Sequence, residues 1–206
     1  MAFRNRVDAG TQLGRAVADL GLTDPIVLAL PRGGVPVAAE VARALSAPLD
    51  VVLVRKIGHP AQPELAVGAL AEDGRVYLDQ SLATRTRLGG RDLDAIVERE
   101  QREIDRQRER FRAGRPAPDL QGRAVVLVDD GLATGATARV ALGWVRDRGG
   151  SPSVIAAPVA PPDTLLTLNA DRTVILDTPS PFGAVGRWYL DFSPVRDEQV
   201  VELLRP

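Results

Sequence analysis

Val125-Val126-Leu127-Val128 is a run of four apolar residues, three of them β-branched, that ends in two adjacent carboxylates, Asp129 and Asp130. Gly131-Leu132-Ala133-Thr134-Gly135-Ala136-Thr137 follows at once. Such an apolar run reads as a strand covered on both faces, and the sequence from Ala136 onward reads as a helix. The loop between them therefore lies at the carboxyl end of a parallel strand, where open α/β sheets bind ligands. Gly131, Gly135 and the alanines keep the backbone bare, so N–H groups can converge on a phosphate at the helix N-terminus. Thr134 and Thr137 add hydroxyl donors. The aspartates have the opposite task, because carboxylates repel phosphate but accept hydrogen bonds from vicinal hydroxyls, or hold Mg²⁺ directly or through water. Together these groups suit a phosphorylated sugar. The alternative is a plain strand-turn-helix crossover, in which two aspartates at the end of a buried strand would cost burial energy without a use.

Two further segments carry chemistry. In Leu30-Pro31-Arg32-Gly33-Gly34-Val35 the glycines permit backbone turns and close approach to a ligand, and Arg32 offers a guanidinium fork suited to phosphate oxygens. Alone, it also reads as a tight turn with a surface arginine. In Val54-Arg55-Lys56-Ile57-Gly58-His59-Pro60, two cations and the single histidine of the chain leave a strand end together. Solvated surface cations are the plain alternative there. No lysine follows the glycine as a P-loop requires, and no G-x-G-x-x-G occurs.

The elements that must hold these groups follow from periodicity. An amphipathic helix is expected from about Val7 to Leu20, a strand at Ile26–Leu30, a helix at about Val35–Leu45 and a second strand at Leu49–Val54. After the motif strand come a helix to about Asp147, a strand near Val154–Val159, a short helix after Pro162 and a strand at Thr173–Leu176. Strands alternating with helices predict an α/β fold with a mostly parallel open sheet and flanking helices. Residues 1–178 would form the core, with a helical insertion at about 88–114. Residues 179–206, rich in aromatics, would form a small C-terminal hood outside the sheet. Within the insertion, Leu93, Ile96, Val97, Ile104 and Phe111 recur near a 3.5-residue spacing amid balanced Arg and Glu, which indicates a scaffold or dimer-contact helix with one packed stripe.

The 206 residues suit one α/β domain, and 45% hydrophobic residues can fill its core. A net charge of -1 offers no basic field for nucleic acid. Without cysteine there is no thiol catalysis, disulfide frame or thiolate zinc site. The opening Met1–Arg6 lacks a signal-peptide core and no run approaches a membrane span, so a cytoplasmic location without a membrane partner is expected.

The motif from Val125 to Thr137 resembles the 5-phosphoribosyl-1-pyrophosphate (PRPP) motif of type I phosphoribosyltransferases. The resemblance implies that Asp129 and Asp130 hold the ribose hydroxyls and Mg²⁺, while Gly131, Leu132, Ala133, Thr134, Gly135, Ala136 and Thr137 wrap the 5′-phosphate. It places a pyrophosphate loop at Arg32, Gly33 and Gly34. Arg55, Lys56 and His59 are similar to the mobile catalytic loop of orotate-type members, although the second lysine of that loop is missing. Arg32, Lys56, Asp129 and Asp130 would then be the catalytic set. The stretch Phe182 to Phe192 resembles the hood of 6-oxopurine enzymes, with Phe182, Val185, Tyr189 and Asp191 as base contacts. It carries two extra residues between Val185-Gly186 and Leu190-Asp191, and an aromatic mini-core remains an equal reading. Ala133 replaces an acid of the 6-oxopurine loop, and Ala157-Pro158-Val159-Ala160 lacks the base-reading lysine. The implied activity is Mg²⁺-dependent transfer of the phosphoribosyl group from PRPP to a nucleobase-like acceptor, within a homodimer. The alternatives are a PRPP- or nucleotide-sensing regulator with little turnover and a sugar-phosphate hydrolase or nucleoside-processing enzyme using the same carboxylates.

Overall fold

The computed structural model describes residues 2–59, 61–78 and 90–205. Pro60, residues 88 and 89 of the expected insertion, and both terminal residues lie outside them. Five strands, β1 (Ile26–Ala29), β2 (Leu49–Val51), β6 (Val125–Val128), β7 (Ser153–Val159) and β8 (Arg172–Asp177), form a sheet of order β2-β1-β6-β7-β8. Every pairing in it is parallel. Strands β1, β6 and β7 are buried along their whole length, as runs of Val, Ile, Leu and Ala covered on both faces must be. This is the mostly parallel α/β fold expected, with helices on both faces of the sheet.

Chain direction across the sheet reverses between β1 and β6. From β1 the chain moves outward to β2 on one side, whereas β6 leads to β7 and β8 on the other. The two strands pair from Ile26 with Val125 to Ala29 with Val128, so the loops after Ala29 and Val128 emerge side by side. A crevice at such a switch point is where open α/β sheets bind ligands.

Helices α1 (Arg6–Ala18), α2 (Gly34–Leu45), α3 (Arg91–Arg112) and α6 (Asp197–Leu203) bury Leu13, Val41, Ile104 and Val200 in one core with the Val27, Val126 and Val154 face of the sheet. Helix α4 (Ala136–Asp147) covers the opposite face with Ala138, Leu142 and Trp144. A short helix, α5 (Pro162–Leu165), follows β7. The Asn5 side chain caps α1 by accepting the Asp8 N–H at 2.9 Å. In α3 the residues Ile96, Ile104 and Phe111 are buried, with Leu93 and Val97 packed beside them, which is the apolar stripe that the spacing predicted.

One expectation is corrected. The run from Leu49 to Val54 is not a single strand: β2 stops at Val51, and β3 (Val54–His59) begins a separate antiparallel sheet with β4 (Gln62–Ala71) and β5 (Val76–Leu78). Val52 and Leu53 are fully buried between the two, so the apolar run continues across a boundary that periodicity could not mark. The Val52 N–H still donates to the Ala29 carbonyl at 3.0 Å, while the Leu53 N–H turns to Glu72 at 3.5 Å. Arg112, fully buried at the end of α3, clamps this junction. Its guanidinium reaches Asp50 at 2.9 Å, donates to the Val51 carbonyl at 2.6 Å and pairs with Glu72.

The closing segment folds back on the N-terminus. Phe3 N–H donates to the Trp188 carbonyl at 2.7 Å and Leu190 N–H to the Phe3 carbonyl at 2.8 Å. Phe3, Ala9, Val159 and Tyr189 make a third, small core.

Candidate active site

The loop after β1 rests directly on the acidic pair after β6. A side chain at Gly33 would drive its Cβ into Asp130 Oδ2, and one at Gly34 would meet the Val128 carbonyl oxygen at 2.8 Å. Both approaches are closer than a Cβ normally makes, so a side chain at Gly34 would have to move backbone and one at Gly33 would have to displace the Asp130 carboxylate. The reason differs from the expected turn, because Gly33 has φ -58 and ψ -37, a helical conformation open to any residue. What the glycines permit is the approach of two loops. Leu30 N–H donates to the Val128 carbonyl at 2.9 Å and Gly34 N–H to the Leu30 carbonyl at 3.1 Å, extending the sheet pairing into the loop. The Pro31–Arg32 peptide bond is cis.

Asp129 and Asp130 lie where burial and each other's charge oppose ionisation. Burial, then the neighbouring Asp130 carboxylate, hold the Asp129 carboxyl well above the usual carboxylate range. Burial also raises Asp130, but the Arg6 guanidinium at 2.8 Å counteracts it. Arg6 is itself fixed by donating to the Ser193 carbonyl at 2.8 Å and by stacking 3.9 Å from the Phe192 ring centre. The Tyr189 hydroxyl donates to the Asp130 carbonyl at 2.5 Å. Among the described residues a cation thus pairs with one carboxylate and none with the other, a difference that the sequence of two identical residues does not disclose.

Beyond the acids, Gly135 adopts φ +67 at the start of α4, a left-handed conformation that favours glycine. Ala133, Thr134 and Thr137 are exposed. Leu132 is buried, and its N–H donates to the Val159 carbonyl at 2.9 Å, so that amide serves the fold. Thr164 fixes the loop by donating to the Ala133 carbonyl at 2.6 Å.

Lys56 and His59 stand on β3, a strand rather than the expected loop. With Arg55, Pro31 and Thr137 they line a cavity of about 620 Å³, closed on another side by Ile96, Arg99 and Glu100 of α3. Glu100, nearly buried, holds Arg55 at 3.0 Å. Arg32 faces a neighbouring cavity of about 410 Å³, where it lies 3.4 Å from Asp197. Pro31 and Arg55 line both. Thus β3 and α3 bring Lys56, His59 and Arg55 to one cavity with Thr137, while Arg32 lines the neighbouring one.

Residues 9–182 match the model of the phosphoribosyl transferase domain. The chain belongs to that family. It is 47% identical over 204 residues to the Mycobacterium tuberculosis protein Rv0571c, whose name carries a provisional phosphoribosyl transferase assignment. The match covers 98% of this chain and 46% of that protein, so the chain spans about half the length of its curated relative. The crystal structure of TT1426 from Thermus thermophilus superposes with a TM-score of 0.86 at 46% identity, covering 99% of this chain and 98% of the other. The purine phosphoribosyltransferase of Pyrococcus horikoshii shares the fold, with a TM-score of 0.50, 17% identity and 92% coverage of both chains.

Within this phosphoribosyl transferase domain the closing segment meets the loop after β6 at Gly131 and Asp130. A Cβ at Gly131 would collide with Val185 Cγ1, so the absence of a side chain there seats the hood. Phe182 stacks on Trp188 with ring centres 6.4 Å apart. Tyr189 is not placed as an open platform: Phe3 and Phe192 pack against its ring at 5.7 and 5.0 Å, and its hydroxyl is engaged on Asp130. Asp191 accepts the Ser193 N–H at 3.0 Å and its hydroxyl at 2.6 Å. Phe182 and Val185, both partly exposed, remain at the rim. The mini-core reading therefore describes Tyr189, against whose cluster the partly exposed Phe182 and Val185 also pack.

Sequence reasoning missed Arg6 and Glu100. Glu100 sits in a helix crowded with acids, where nothing in the pattern singles it out. Arg6 had one available signal: a buried aspartate needs a cation, and the first turn of α1 is among the places that could supply one.

Proposed function

We propose that the protein transfers the 5-phosphoribosyl group from PRPP to a nitrogen nucleophile and releases pyrophosphate. The observation that supports this reading is the close approach of the Arg32-Gly33-Gly34 loop to Asp130, which brings the β1–α2 loop against the paired carboxylates that open the 131–137 loop. In the reaction the acceptor nitrogen donates its lone pair to C1 while the electrons of the C1–O bond leave with pyrophosphate, and C1 passes through an oxocarbenium-like state. Holding the ribose still and neutralising the leaving group are then the main demands.

Asp129 and Asp130 accept hydrogen bonds from the ribose hydroxyls. Thr134, Gly135 and Thr137 receive the 5′-phosphate at the start of α4, where backbone N–H groups and the helix dipole favour an anion. Lys56, with Arg55 and His59 beside it, faces the leaving pyrophosphate, and Arg32 meets it from the β1–α2 loop. Phe182 and Val185 border the acceptor. Asp129 and Asp130 offer hard oxygen donors suited to Mg²⁺, and burial of two adjacent carboxylates with one arginine partner among the described residues is a charge imbalance that a divalent cation relieves. Bound there with the substrate's phosphates, Mg²⁺ supplies neutralisation of negative charge. Residues 1–178 act as the core and 179–206 as the hood.

The test incubates the protein with PRPP, Mg²⁺ and a panel of bases while pyrophosphate release is followed. Release that depends on one base supports transfer. A ligand-sensing role is the second reading, favoured by the engagement of Arg32 with Asp197 away from Lys56. Saturable PRPP binding with no release for any base would select it.

A further inference from the structure

Two carbonyls of the 131–137 loop are held by side chains that lie outside it. Thr164, buried in α5, donates through its hydroxyl to the Ala133 carbonyl at 2.6 Å. Arg139, in the first turns of α4, donates through Nη1 to the Thr134 carbonyl at 3.0 Å and to the Thr167 hydroxyl at 3.0 Å. The Thr167 hydroxyl in turn donates to the Thr164 carbonyl at 2.8 Å, so Arg139, Thr167 and Thr164 form one connected chain from α4 to α5. Thr164 also packs on the open side of Gly135, where a Cβ would come within 2.8 Å of Thr164 Cγ2.

These contacts orient two peptide planes. Both units are trans and planar, so the Thr134 and Gly135 N–H groups point opposite to the held carbonyls, away from Thr164 and Arg139. Neither carbonyl enters the α4 ladder, which begins where Gly135 accepts the Arg139 N–H at 2.9 Å. The Thr134 and Gly135 N–H groups meet no acceptor among the described residues. Such groups are available to an anion, and fixing their direction beforehand removes an ordering cost from binding.

We propose that Thr164 and Arg139 are positioning residues that hold the Thr134 and Gly135 amides in place for a phosphate monoester, with Thr167 fixing the Arg139 guanidinium. The inference rests on the reading of this loop as the seat of the 5′-phosphate, and it extends that seat to α5, outside the motif.

Calorimetric titration of ribose 5-phosphate, which carries that phosphate and no pyrophosphate, tests it. Thr164→Val keeps the branched shape without the donor and should bind ribose 5-phosphate about tenfold more weakly, the size of one lost hydrogen bond. Thr164→Ser, which keeps the hydroxyl, should restore most of the affinity. Arg139→Met, at an exposed position, should weaken binding about threefold. In the transfer assay the KM for PRPP should rise in both variants with kcat retained, because the 5′-phosphate bears the same charge before and during the reaction. Should Thr164→Val lose its fold, Arg139→Met carries the test alone. Parental ribose 5-phosphate affinity in the variants, with only the thermal midpoint lowered, overturns the proposal and leaves the loop's phosphate role standing. Absence of ribose 5-phosphate binding in the parent removes that role and the proposal with it. Binding that depends on Thr164 and Arg139, without pyrophosphate release for any base, refutes the transfer reaction and upholds this inference.

Discussion

At the scale of single residues, Asp129 and Asp130 do different physical work despite their identity. Asp129 is half-buried and no ion pair reaches it among the described residues, so desolvation and the neighbouring carboxylate push its carboxyl up; Asp130 has Arg6. A carboxyl whose folded pKa is raised contributes stability that is complete below its unfolded pKa and is lost as pH rises through the folded one. Asp129→Asn removes that charge, and its thermal midpoint at pH 7 should exceed that of the parent, by roughly 2–4 °C for each kcal/mol recovered. An unchanged or lowered midpoint, measured by calorimetry between pH 4 and 8, would contradict the burial argument. The same substitution together with Asp130→Asn should weaken PRPP binding by about 1.5–3 kcal/mol for each hydrogen bond to the ribose that it removes, since such bonds are charge-assisted. Equal affinity in the double variant would remove the aspartates from the ribose site. Arg6→Met leaves the Asp130 carboxylate buried and unpaired, which should cost about 3–5 kcal/mol of stability. A combined Arg6→Met/Asp130→Asn variant should regain much of it in chemical denaturation.

At the scale of elements, the lysine of the site owes its position to a strand. Lys56 on β3 is held by the pairing of Val54–His59 with β4 and by the Arg55–Glu100 ion pair that ties β3 to α3. Lys56→Ala should therefore lower kcat more than it weakens ground-state PRPP binding, because pyrophosphate gains negative charge only as C1–O breaks. Steady-state kinetics in which KM alone rises would exclude that role. The elements also separate what is legible in the sequence from what is not. Strands β1, β6 and β7 and the helices after them are legible because both-face burial writes continuous Val, Ile, Leu and Ala runs with helical spacing behind them. The loops after β1 and β6 are legible as loops for a related reason: runs of small residues next to charge interrupt the apolar pattern. The antiparallel sheet is not, since Val52 and Leu53 carry the apolar run across the break between β2 and β3, and two register shifts at Gly58 blur the alternation. Arg112 is equally hidden. One arginine among many in α3, it is fully buried between Asp50 and Glu72, which come from distant parts of the chain.

At the scale of the whole molecule, residues 179–206, the 131–137 loop and the end of β7 converge, and on the proposed reaction the acceptor would be chosen there. The 6-oxopurine pattern asks for an acid before Thr134-Gly135 and a lysine after this strand. The protein has Ala133, whose carbonyl is engaged by Thr164, and Ala157 to Ala160 running into a fully packed core. At its rim contact the hood presents apolar groups: Val185 seats on Gly131, and Phe182 stacks on Trp188. A base edge left without its hydrogen-bond partner costs about 1–3 kcal/mol, or one to two orders of magnitude in discrimination. Guanine and hypoxanthine should accordingly be turned over with kcat/KM no higher than adenine, uracil or orotate. A flat ring can still lie against Phe182, whose substitution by Ala should raise the acceptor KM while leaving PRPP affinity intact. Guanine or hypoxanthine turnover far above that of the other bases, in a competition assay with all five present, would show that residues outside the hood and the phosphate loop read the base.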